Sequence, residues 1–92
     1  MDTLPEGLAP AGQSRTFDAS SVPEALTHEH ALAAGRWGAL HILEGSVFFT
    51  DLTTGIEREV TAPDRVVIAP EAPHKLRLAG PVSCRIDFFR EG

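Results

Sequence analysis

Short apolar runs broken by glycine, proline and aspartate organise this chain, and helical stripes are missing. Trp37-Gly38-Ala39-Leu40-His41-Ile42-Leu43 leads into Glu44-Gly45 and then Ser46-Val47-Phe48-Phe49-Thr50. Aromatic and β-branched residues interrupted by glycine predict strands joined by tight connections. Thr53-Thr54-Gly55 marks the next turn, and Glu57 to Thr61 reads as a short polar edge strand. Ala62-Pro63-Asp64 turns the chain into Arg65-Val66-Val67-Ile68-Ala69. Pro70-Glu71-Ala72-Pro73 then brackets a loop that delivers His74 at the head of His74-Lys75-Leu76-Arg77-Leu78. Alternation is clean there: His74, Leu76 and Leu78 share one face, Lys75 and Arg77 the other. Ala79-Gly80-Pro81 precedes the last strand, Val82 to Phe89.

The N-terminal third is less regular. Residues 1–14 hold Pro5, Gly7, Pro10 and Gly12 with little apolar content, which predicts an extended arm that orders where it docks. Residues 15–92 then form the domain proper. Ser20-Ser21-Val22-Pro23-Glu24 allows a single helical turn. Beyond it Leu26, His28 and His30 recur at a spacing of two, so an extended segment would point all three to one face. About seven strands of roughly 4–8 residues, with no amphipathic helix, predict an all-β sandwich or barrel.

Size and charge narrow this further. Ninety-two residues make one domain with a modest core, to which a partner copy or a metal would add stability. The net charge of −5, with eight basic residues scattered among thirteen acidic ones, argues against nucleic acid. No apolar stretch approaches the roughly 18 residues of a membrane span. The start of the chain has an early acid and no basic-then-apolar leader layout, so the expected location is cytoplasmic. The single cysteine, Cys84, lies in an apolar run and reads as a small buried hydrophobe.

The histidines carry what chemistry is visible. Neutral imidazole is the commonest metal ligand, because it offers a lone pair without a charge to desolvate. His28 and His30 have the spacing that turns two rings toward one interior, and His74 shares the face of Leu76 and Leu78. Three inward imidazoles, or two with a carboxylate, suit a mononuclear site with an open position. His41 alternates with Leu40 and Ile42 and should face out if those two fill the core. Asp51, Glu57, Glu59 and Asp64 lie in or beside turns, where solvation accounts for them. No phosphate loop, nucleophile elbow or Cys-x-x-Cys is present, so no catalytic residue can be assigned.

His30, Gly35-Arg36-Trp37-Gly38, Leu43-Glu44-Gly45, Pro70-Glu71-Ala72-Pro73-His74 and Ile86-Asp87-Phe88-Phe89, in this order and spacing, resemble the TehB/YeaR-like small cupin family. The resemblance spans about residues 4–90. It implies a single small cupin-like jelly-roll barrel, and a tellurite, oxyanion or oxidative-stress setting. Against the wider cupin pattern, His28 and His30 resemble the first-motif pair and His74 the second-motif histidine. The glutamate position falls near Gly38, which has no side chain to coordinate. Within the closer family the positions of His30 and His74 are typically histidine, and that of Asp87 an acid. The metal ligands that the closer family implies are therefore His30, His74 and Asp87, the last against simple strand parity, and His28, whose position there is usually another residue, joins them as a local extra. The implied cofactor is a divalent metal: zinc, iron, nickel or manganese.

Three functions follow as expectations. One is a divalent-metal-binding small cupin. The second is a metal-dependent oxygenase or isomerase acting on a small molecule. The third is a metal-free ligand-binding or dimerisation module, in which Trp37, Phe48 and Phe49 would line a pocket or a homodimer interface.

Overall fold

Two long strands carry the sheet in the computed structural model, which describes residues 4–91. In chain order the elements are β1 (Leu8–Gln13), β2 (Phe17–Asp18), a 3₁₀ turn (Glu24–Thr27), β3 (Arg36–Asp51), β4 (Ile56–Thr61), β5 (Arg65–Ile68) and β6 (His74–Glu91). All strand pairs are antiparallel. β3 and β6 pair along their whole length, from Arg36↔Arg90 to Asp51↔His74. β3 is flanked on its other side by β5 in its first half and by β4 in its second. β1 and β2 pair with the second half of β6. The result is the small all-β jelly-roll barrel of the cupin type that the sequence resemblance implies. Among the described residues no helix is long and apolar enough to cross a membrane.

Two of the expected turns are bends within strands. Trp37–Leu43 and Ser46–Thr50 are the two halves of β3, while His74–Leu78 and Val82–Phe89 are the two halves of β6. The β3–β6 register slips between Ile42 and Glu44 and again between Gly45 and Val47. Each slip inserts residues that bend the strand without ending it. The slips also change which residues face the core. Leu40 and Ile42 point inward before the bend, and Val47 and Phe49 after it, all at 7% exposure or less. Gly45 makes this bend feasible. Its φ is +77°, and a Cβ there would collide with the Pro81 carbonyl oxygen on β6.

The core is closed by Val60, Val66, Ile68, Leu76, Val82, Cys84 and Ile86, with Phe17 and Leu26 packed over it from the N-terminal third. The extended arm docks as β1, so residues 8–13 are part of the sheet. Ser14 continues the docking. Its N–H donates to the Ile86 carbonyl, and its hydroxyl accepts from the Ile86 N–H, both at 2.8 Å.

The helical turn falls at Glu24–Thr27, later than Ser20–Glu24, and it corrects the expectation for Leu26, His28 and His30. A 3₁₀ turn rotates successive side chains by about 120°, so the period-two alternation does not carry from Leu26 through it. Leu26 is buried, His28 exposed and His30 half-buried.

Gly45→Ala should destabilise the fold by about 1–3 kcal/mol, the order expected of a strained backbone position. Gly55 has a similar φ of +76° but open space around it, so Gly55→Ala should cost clearly less. Urea unfolding of the two variants checks this, and equal losses would refute the collision at Pro81.

Candidate functional site

His30 and His74 meet at one end of the barrel, and the backbone makes them meet. The two residues exchange main-chain hydrogen bonds, His30 N–H to the His74 carbonyl at 3.1 Å and His74 N–H to the His30 carbonyl at 2.9 Å. The Glu71 N–H donates to the Leu32 carbonyl at 2.8 Å, which clamps the 30–32 segment onto the 70–74 loop. Glu71 turns that loop with a φ of +61°, a conformation uncommon outside glycine. The rings lie edge to face, with centroids 4.2 Å apart. Phe49 stacks on the far side of His74, 5.5 Å away.

The hydrogen bonds define the protonation of both rings. His74 Nδ1 lies 2.8 Å from the Ala72 carbonyl, and His30 Nδ1 lies 3.2 Å from the His28 carbonyl. A carbonyl oxygen can only accept, so each Nδ1 carries a proton and, in the neutral ring, each Nε2 is a bare lone pair. Burial pushes the His74 pKa down. The neighbouring His30 adds to this, and together they outweigh the Ala72 carbonyl and Asp51, which favour the cation. His74 is 2% exposed, and no described residue gives its buried Nε2 a hydrogen bond. Leaving such an atom unpaired costs about 1–3 kcal/mol. A small cavity of about 100 Å³ adjoins the ring, lined by His74, Phe49, Asp51, Ile68 and Ala72 among others.

Asp51 is the cavity residue that the sequence hides. Solvation beside a turn accounts for it on sight, yet it lies directly across from His74 in the β3–β6 register. Residues directly opposite on paired strands point to the same face. The legible signal was alternation with Val47 and Phe49, two core residues at the same parity. One Asp51 oxygen accepts the Thr53 N–H at 2.9 Å.

The other expected ligands lie elsewhere. His28 is solvent-exposed beside Glu24, 3.8 Å away. Asp87 is on the opposite face of the sheet, as strand parity dictates between inward Ile86 and Phe88. Its carboxylate takes Gln13 Nε2 at 2.7 Å, Arg85 Nε at 3.1 Å and His41 Nε2 at 3.0 Å. Partial burial alone would raise the Asp87 pKa, but the bonds from Gln13 and Arg85 and the charges of Arg85 and His41 hold it below the usual range. His41 faces out as its parity requires. Cys84 is fully buried, and burial pushes its thiol up to about 11, so it is no nucleophile at neutral pH.

The donor set decides how far a resident metal fits. Among the described residues no three His, Cys, Asp or Glu side chains converge on one point. Gly38 faces inward, and the space where a glutamate would reach from it is occupied by Leu32, Ile68 and Ile86, 3.4–3.7 Å from an added Cβ. Two imidazoles fall one ligand short of an open mononuclear site. These residues therefore do not make a metal centre by themselves.

Over residues 12–86 the chain matches the model of the TehB-like domain. The chain belongs to the TehB-like domain family. Among solved structures it resembles TehB from Haemophilus influenzae, with a TM-score of 0.85 and 24% identity over 94% of this chain. It spans 32% of that protein, about a third of its length. It also resembles a protein of Escherichia coli K12, with a TM-score of 0.89 and 17% identity, over 100% of this chain and 99% of that one. Both identities are below 25%, so these likenesses establish the fold of the TehB-like domain and leave its site to be argued from the residues. No curated protein matches the sequence.

The neutral, buried His74 of this TehB-like domain has a consequence for stability. As pH falls through about 6.5 the unfolded chain protonates this ring, while the folded ring, with its lowered pKa, stays neutral. The unfolded state then binds more protons, so stability is full above that pH and declines below it. The urea midpoint should drop between pH 7.5 and 5.5 in the wild type and drop less in His74→Phe. Equal drops in the two proteins would refute the assignment.

Proposed function

We propose that this TehB-like domain is a small-ligand-binding module, and that its site is the small cavity beside His74, the ring against which His30 packs. One observation carries the reading: a buried imidazole nitrogen with no hydrogen-bond partner among the described residues, on a ring that lines a small cavity and has its tautomer set by a main-chain carbonyl. The partner that suits such a nitrogen is a hydrogen-bond donor on a bound molecule. The 30–32 segment supports the role, because it is held over the His74 loop by backbone bonds and keeps the two rings in place.

A second reading is favoured by the matched Nδ1 bonds. Metal-binding histidines commonly give the other ring N–H to a carbonyl, and both rings do so here. In this reading a divalent ion is held by His30 and His74, with its remaining positions filled by molecules from outside the chain. The resemblance to the tellurite-resistance family supports a stress-related setting for either reading.

Both readings are tested by following the His30 and His74 ring resonances in labelled protein while small hydrogen-bond donors, and separately zinc, are added. A bound donor should move the His74 Nε2 signal. His74→Phe should weaken its binding roughly five- to tenfold, since one such hydrogen bond is worth about 1–1.5 kcal/mol. Zinc should bind weakly, and His30→Ala should abolish its binding. If neither kind of addition perturbs the rings, the site has been misread.

A further inference from the structure

We propose that the free edge of β4 is a docking site for an extended peptide, which adds to the sheet as one more strand, with basic residues opposite Glu57 and Glu59 and an apolar residue beside Ile56. This edge is a different surface from the His74 cavity, so neither reading depends on the other. β4 pairs with β3 along one side only. Which of its main-chain groups face out follows from the hydrogen bonds of β3. The Leu52 N–H donates to the Pro73 carbonyl at 2.9 Å, toward β6, and the Ala62 N–H donates to the Gly45 carbonyl at 2.9 Å, on the β4 side. Bonding direction alternates from residue to residue along an antiparallel strand. Val47, Phe49 and Asp51 therefore bond β4, while Phe48 and Thr50 bond β6. Their β4 partners are Val60, Arg58 and Ile56, which leaves the N–H and C=O of Glu57 and Glu59 pointing away from the sheet. Both residues are exposed, and no hydrogen bond among the described residues reaches these four groups.

Such an edge accepts a strand through its main chain, and the side chains decide which strand. Glu57 and Glu59 share one face of β4, and Arg58 between them alternates to the other. Glu57 is held by Arg77 at 3.0 Å, whereas Glu59 has no ion pair among the described residues. Opposite charges facing each other across paired strands attract, and like charges repel. A basic residue opposite Glu59 is therefore favoured. A second copy docking edge to edge would set Glu59 against itself or against Glu57, so the same charges oppose self-association. Ile56 adds the apolar element. It lies at the turn end of β4 and is 63% exposed, the most exposed large apolar side chain among the described residues. A strand laid along the edge brings a side chain beside it.

The probe is a short peptide, capped at both ends, that alternates lysine and valine. It is added to the isotope-labelled full chain while the main-chain amide signals are followed, and it should shift those of Glu57 and Glu59 most. Lysines opposite the glutamates make the new bonds with their own N–H and C=O groups. Methylating the lysine main-chain nitrogens should therefore weaken binding about tenfold or more. Methylating the valine nitrogens, which point away from β4, should leave binding nearly unchanged. A peptide with glutamate in place of lysine should not bind. Glu59→Gln should weaken binding of the lysine peptide about threefold, the scale of one cross-strand charge pair. Failure of the lysine peptide to bind, binding blind to which nitrogens are methylated, or amide shifts centred away from β4 would overturn the proposal. So would equal binding of the glutamate peptide, an affinity untouched by Glu59→Gln, or a chain already dimeric through β4.

Discussion

The antiparallel ladder between β3 and β6, and the slip built into it at Gly45, is the constraint on which the rest of this domain depends. Every other strand hangs from one of these two. A straight pair of this length would form a flat ribbon unable to enclose a core. Two slips in a few residues bend the pair and move the apolar face from Leu40 and Ile42 to Val47 and Phe49. Gly45 is where that bend passes closest to β6, and it tolerates the positive φ that a side chain would resist.

The same ladder builds the candidate site at its open end. Its terminal pair, Asp51 and His74, places a carboxylate and an imidazole on the inner face together. The segment after the 3₁₀ turn then returns to bridge His74 through its own backbone, which brings in His30. Main-chain carbonyls two residues upstream of each histidine fix the rings. No side chain has to be recruited to orient them. Apolar residues crowd the site, with Phe49 stacked on His74 and Ile68 and Ala72 in the cavity wall.

On the outer face the sheet does something different with similar residues. Asp87, His41, Arg85 and Gln13 satisfy one another in a partly exposed network. Such a network joins β1, β6 and β3, and its charges are already paired. A histidine and an aspartate here serve the sheet, whereas a histidine and an aspartate a few residues along the same ladder face a cavity. The difference is side of sheet, which follows from strand parity.

Most of the strands were legible from the sequence, because alternation along His74–Leu78 and the apolar runs of β3 and β5 reflect burial on one face. The outward turn of His41 was legible for the same reason, and parity already opposed Asp87 as a ligand. The meeting of His30 with His74 was expected from their inward-facing positions and from the family resemblance, but the bonds that make it link segments more than forty residues apart. Asp51 was missed, although its alternation with Phe49 was visible. His28 lies exposed just after the 3₁₀ turn, so the inward face expected for it from Leu26 is not carried past that turn. Local pattern reports which face of a strand is buried. Which strands lie opposite one another, and where a strand bends without ending, is decided by long-range backbone pairing, and only the folded chain contains that.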